Sequence, residues 1–95
     1  MNKVFRKTEK ILYIYPDIVD CENDFLNTLV NALEKFSETD RLIIELKYFE
    51  KRTHEEIAEE LDIDPRTVTR KKNRIIKRLS FILFPDDAIE ELKNE

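Results

Sequence analysis

The sequence contains no glycine, although average usage of about 7 % would place several in a chain of this size. That absence removes glycine-rich phosphate loops, dinucleotide-binding turns and Asn-Gly hairpins together. The single cysteine, Cys21, excludes an internal disulfide and suits a reducing compartment. It reads as a small half-buried hydrophobe on a helix, not as a reactive thiol. No apolar stretch approaches the ~20 residues needed to cross a bilayer, and no signal-peptide pattern opens the chain. The expectation is a soluble, cytoplasmic protein with no membrane partner.

What is present points to helices. The 95 residues, 41 % hydrophobic and 40 % charged, suit one domain with a small core and a highly charged surface. Leu, Ile, Glu and Lys dominate, which favours an all-α fold. The charge is unevenly placed. Residues 63–79, "IDPRTVTRKKNRIIKRL", hold seven Lys/Arg and one acid in a chain of net charge −4. For attracting a polyanion, such a local patch matters more than the total.

Prolines and caps divide the chain into about six helices. Residues 3–15 form the first, with Pro16 as a stop or a new start. Asp17 to Phe36 forms the second, where Ile18, Phe25, Leu29, Leu33 and Phe36 keep 3–4 spacing. Ser37 or Thr39 caps a third, whose Leu42, Ile43, Leu46 and Phe49 face inward. Thr53 and Glu56 of "THEEIAEEL" form a capping box for a short fourth helix, with Ile57 and Leu61 buried and Ala58 allowing close helix crossing. Asp64 and Pro65 start the fifth as cap and first-turn proline, and it runs to about Leu83. Pro85 stops it, leaving residues 85–95 as an acidic tail helix. Residues 1–36 are read as core-completing and candidate dimerising helices with acidic or neutral outer faces. Residues 37–84 carry the motif: a short helix, a three-residue turn and a longer basic helix, which together describe a helix-turn-helix.

The stretch "LIIELKYFEKRTHEEIAEELDIDPRTVTRKKNRIIKRL", within residues 37–80, resembles region 4 of the sigma-70 family. "YFE", "EEIAEEL" and "TV" before a basic helix are the matching pieces. The stretch is also similar to small phage and prophage regulators of the ArpU/RinA type, as is "TEKILYIYPDI" near the start. The resemblance implies transcription regulation through double-stranded DNA, with RNA polymerase as a candidate protein partner. Two departures accompany it. Asp62 stands where such turns usually have glycine, and Asp tolerates the left-handed conformation better than most residues. Lys71 and Lys72 fill positions of which one is normally apolar.

Spacing of about 100° per residue tests the fifth helix directly. Val68, Ile75, Ile76, Leu79 and Ile82 fall on one side as a buried stripe. Arg66, Thr69, Arg70 and Asn73 fall opposite, on the N-terminal half, where base edges come within reach. Arg pairs with guanine and Asn with adenine by two hydrogen bonds each. Thr67, Lys71, Arg74, Lys77 and Arg78 are expected at phosphates, and Arg52, Thr53 and His54 at the start of the fourth helix join them. Lys72 falls beside the buried stripe, and its ammonium is expected to snorkel outward.

No nucleophile–base pair, metal cluster or phosphate loop stands out. His54 lacks metal-ligand neighbours, and the Glu pairs read as solvated helix surface. The chain is therefore expected to be no enzyme, with no cofactor, metal or small-molecule substrate. The reading reached is a sequence-specific DNA-binding regulator, a phage or prophage late-gene activator, with a homodimer contact in residues 3–36 or in "FILF". The alternative is a module that docks on RNA polymerase or a sigma factor without DNA specificity of its own.

Overall fold

Helix boundaries in this chain follow capping chemistry more closely than apolar periodicity. The computed structural model describes residues 2–20 and 23–93, and Cys21, expected on a helix, lies outside them. Helix α1 spans Asn2–Ile18 and contains Pro16, so that proline does not stop it. Placed in the final turn, Pro16 removes only one backbone bond, and the helix ends two residues later. The single helix expected from Asp17 to Phe36 is split. Ile18 belongs to α1, and α2 begins at Asp24 and ends at Glu34. Asn23 starts α2 by accepting the Phe25 N–H on Oδ1 at 2.7 Å, a cap that competes with the uninterrupted apolar pattern.

Ser37 caps α3 (Glu38–Ile44), which continues as a π-helical stretch over Glu45–Phe49. Helix α4 spans His54–Leu61, α5 spans Pro65–Leu83 and α6 spans Pro85–Lys93. No strand occurs among the described residues, and no helix among them is long and apolar enough to cross a membrane. The all-α fold expected from composition is therefore the observed one.

Helix α5 is the element on which α1, α2, α3, α4 and α6 all pack. Its first half meets Ile43, Leu46, Ile57 and Ala58 of α3 and α4 through Val68. Its second half meets Leu12, Leu29, Ile44 and Tyr48 through Ile75, Ile76 and Leu79. Ile82, expected in the buried stripe, is instead 43 % exposed, while Ser80 and Leu83 are buried. The inward stripe is rotated because α1 crosses α5 on the Ser80 side. There the Thr8 and Ser80 hydroxyls lie 2.9 Å apart, each also within reach of the carbonyl four residues earlier in its own helix, so that one hydroxyl donates to its carbonyl and the other donates across to it. Two small, mutually satisfied side chains let the helices approach without orphaning a polar group.

That rotation puts Lys72 over the core and not on its rim. Its side chain is 12 % exposed, so it does not snorkel into water. Its Nζ lies 3.5 Å from Glu9 Oε2 and 5.5 Å above the Phe5 ring, both on α1. The same Glu9 oxygen accepts the Tyr48 hydroxyl proton. Burial first, and then the Glu9 carboxylate, push the Tyr48 phenol far above its ordinary range, so it stays a donor. The first helix thus supplies the counter-charge that makes a cation at this position tolerable. Glu9→Ala removes the acceptor of Tyr48 and the partner of Lys72 at once. It is expected to cost about 2–3 kcal/mol of stability in urea unfolding, while Glu9→Asp costs less.

Candidate nucleic-acid interface

The motif is set by three caps in succession. Thr53 and Glu56 form the expected reciprocal box, with both bonds at 3.1 Å. At the other end of α4, Asp62 adopts the left-handed conformation with φ 56°, standing in for the usual glycine. The Ile63 N–H then returns to the Ala58 carbonyl at 3.0 Å, closing the turn. Asp64 caps α5 by accepting the Arg66 N–H at 2.7 Å, and Pro65 occupies the first turn. The turn fixes where α5 leaves α4, and so which of its faces is outward.

Outward on α5 are Arg66, Arg70, Asn73, Arg74, Lys77 and Arg78, all exposed. Arg66, Arg70, Asn73 and Lys77 form one row at helical spacing, opposite the buried Val68, Ile76 and Leu79. Arg66 is held by its own cap, since the guanidinium reaches both Asp64 carboxylate oxygens at 3.2 and 3.4 Å. That contact, with the Arg66 N–H, draws the Asp64 carboxyl below its ordinary value. The second role of Asp64, as holder of a candidate base contact, is a two-residue spacing visible in the sequence but not used there.

The flank of α5 is tethered to α3 and to the link between α2 and α3. Arg74 lies 3.8 Å from Asp40, and the Arg78 guanidinium sits 5.1 Å over Phe36. Thr67 and Lys71 are only partly exposed. At the start of α4, the three remaining phosphate candidates are already engaged. Arg52 bridges Glu50 at 3.2 Å and Glu60 at 2.9 Å. The hydroxyl and backbone N–H of Thr53 both serve the capping box. His54 turns its ring toward α5, with Nδ1 2.9 Å from Thr69 Oγ1 and Nε2 buried without a partner. Thr69 also donates to the Pro65 carbonyl at 3.2 Å, so its hydroxyl is satisfied inside the protein.

Two further features went unread in the sequence. Lys51, at φ 57°, makes the bend before α4, with its ammonium 3.3 Å from the Tyr13 carbonyl and 3.4 Å from that of Tyr48. Helix α1 exposes Lys3, Arg6, Lys7 and Lys10, which corrects the expectation of acidic or neutral outer faces over residues 3–36. Lys7 is 3.6 Å from Asp87 and 4.3 Å over the Phe84 ring. Of "FILF", Leu83 is buried and Phe84 packs against Phe25, which leaves Ile82 as its exposed apolar side chain. Among the described residues no group of acids, histidines or cysteines is placed to hold a metal.

Burial first, and then the nearby charges of Lys47 and Lys72, lower the His54 pKa from its ordinary 6.5, against smaller opposing effects of Glu55 and Glu9. The unfolded chain therefore binds this proton more readily than the folded one. The stability contributed by neutral His54 is complete above about pH 6.5 and is lost as pH falls below it. Urea unfolding at stepped pH should show wild type losing more stability than His54→Gln between pH 7.5 and 5.5.

Residues 26–79 match the family described as sigma-70, region 4, which is more than half of the chain. No curated protein and no solved structure matches significantly. The matched span takes in most of α2, all of α3 and α4, the left-handed turn at Asp62 and α5 as far as Leu79, whereas α1 and α6 lie outside it. With the capped turn and the outward basic row inside that span, the chain belongs to the sigma-70 region 4 family of DNA-binding helix-turn-helix domains.

Proposed function

We propose that the protein is a sequence-specific transcription regulator that reads the major groove with the outer face of α5. The observation that carries this is the exposed row Arg66, Arg70, Asn73 and Lys77 on a helix whose opposite side is anchored by all five other helices. A rigid helix with donors at its N-terminal half and cations further along has the layout that base and phosphate contacts require. Arg66, Arg70 and Asn73 are the base-contact candidates. Lys77, Arg74 and Arg78 are the phosphate candidates, with Thr67 and Lys71 behind them. Arg52 reaches a phosphate by exchanging one of its two exposed carboxylate partners, a swap that weak surface pairs permit.

The likeness to ArpU/RinA regulators in "TEKILYIYPDI" and in the motif favours a phage or prophage late-gene activator. RNA polymerase is the protein partner that this reading implies, and a homodimer would read two half-sites. Selection from a random duplex library tests the reading and shows any half-site symmetry as a palindrome. On the selected site, Arg70→Ala is expected to lose about 1–3 kcal/mol and to relax preference at one position. Lys77→Ala should weaken all sequences alike and reduce the salt slope by about one. Equal competition by every duplex would contradict the reading and favour docking on RNA polymerase.

A further inference from the structure

Thr69 stands beside the outward row of α5 but its hydroxyl faces inward. Its Oγ1 lies 3.2 Å from the Pro65 carbonyl one turn back, which can only accept. It also lies 2.9 Å from His54 Nδ1, a bond that runs in either direction according to the imidazole tautomer. The other ring nitrogen, Nε2, is buried and has no partner, so Nδ1 and the Thr69 hydroxyl are bonded to each other and not to solvent. The Thr69 hydroxyl is thus bonded on two sides within the α4–α5 junction, while the residue as a whole remains partly exposed. What a threonine has left to present is its γ-methyl.

We propose that Thr69 is a specificity residue that recognises the 5-methyl group of a thymine, and that His54 is the positioning residue that keeps the threonine hydroxyl turned away from the groove. The thymine methyl is the one apolar group on the major-groove edge of the bases, and a threonine methyl is a fitting contact for it. Asn73 lies one turn further along the same helix and Arg70 beside it. The methyl contact therefore belongs to a base step next to those they would read. A free hydroxyl at Thr69 would accept or donate indifferently to several bases. With the hydroxyl tied back, the side chain discriminates by shape.

This inference rests on α5 reading a defined site, and the experiment separates the two. The full chain is used to select a duplex, and each thymine of that duplex is then replaced singly by deoxyuridine, which lacks only the methyl. One replacement within the α5 footprint is expected to weaken binding about fourfold, the worth of one buried methyl group. Thr69→Val should keep that loss. Thr69→Ser, which retains the hydroxyl and its two bonds, should bind thymine and uracil equally while its other base preferences and its melting temperature stay unchanged. His54→Ala should blur the same position and no other, and His54→Asn, whose amide can hydrogen-bond Oγ1 in either direction, should restore part of the preference. A selected site at which no deoxyuridine matters, or a Thr69→Ser protein with the wild-type thymine-to-uracil ratio, overturns the inference and leaves the regulator reading intact. Failure to select any site overturns both.

Discussion

On the proposed reading helix α5 is both the centre of the core and the surface offered to DNA, and the rest of the molecule is arranged around that double duty. Val68, Ile75, Ile76 and Leu79 are almost completely buried, and seven Lys/Arg share the same nineteen-residue helix. A helix of about 5.4 Å pitch leaves little circumference for both sets. Lys72 is where they collide. The solution is not to lift the cation into water but to bring an acid to it. Glu9 of α1 meets Lys72, and its oxygen is shared with the buried Tyr48 hydroxyl. The π-helical stretch that ends α3 carries that tyrosine. The first helix, outside the span matched to the family, thereby becomes part of what holds the basic helix in place.

Charge then sorts the cations of α5 into two kinds. Some lean on the protein: Arg74 toward Asp40, Arg78 over Phe36, and Arg66 on Asp64. The three arginines are themselves exposed, although Asp40 and Phe36 are buried, and the exposed Arg66–Asp64 pair is of the kind that contributes little to stability. These contacts orient the side chains without trapping them. Arg70 and Lys77, with the neutral Asn73 in the same row, project outward. The acids elsewhere on the chain keep the net charge negative and work against adhesion to nucleic acid by other surfaces. The exposed lysines and arginine of α1 are the exception to that division.

Much of this was legible in the sequence because caps are local. Thr53–Glu56, Asp64–Pro65 and the left-handed Asp62 need only their neighbours, and all three are found as read. The buried stripe of α5 was placed from spacing alone, and it was off by the rotation that α1 imposes, which exposed Ile82 and buried Ser80. The break between α1 and α2 was missed because the apolar period runs through it while Asn23 caps against it. The inward turn of His54 toward Thr69 spans fifteen residues, and the pairing of Lys72 with Glu9 spans sixty-three. Neither separation leaves a local pattern. Whether a polar side chain on a helix faces a groove or a neighbouring helix is decided by such long-range contacts.

The central claim is that one face of one helix meets DNA, and amide chemical-shift mapping during titration with the selected duplex tests it most directly. The account predicts the largest changes at Arg66, Arg70, Asn73 and Lys77 and at the start of α4, with α2 and α6 nearly silent. Changes centred on the outer surface of α3 or α6, with the α5 row unmoved, would contradict it.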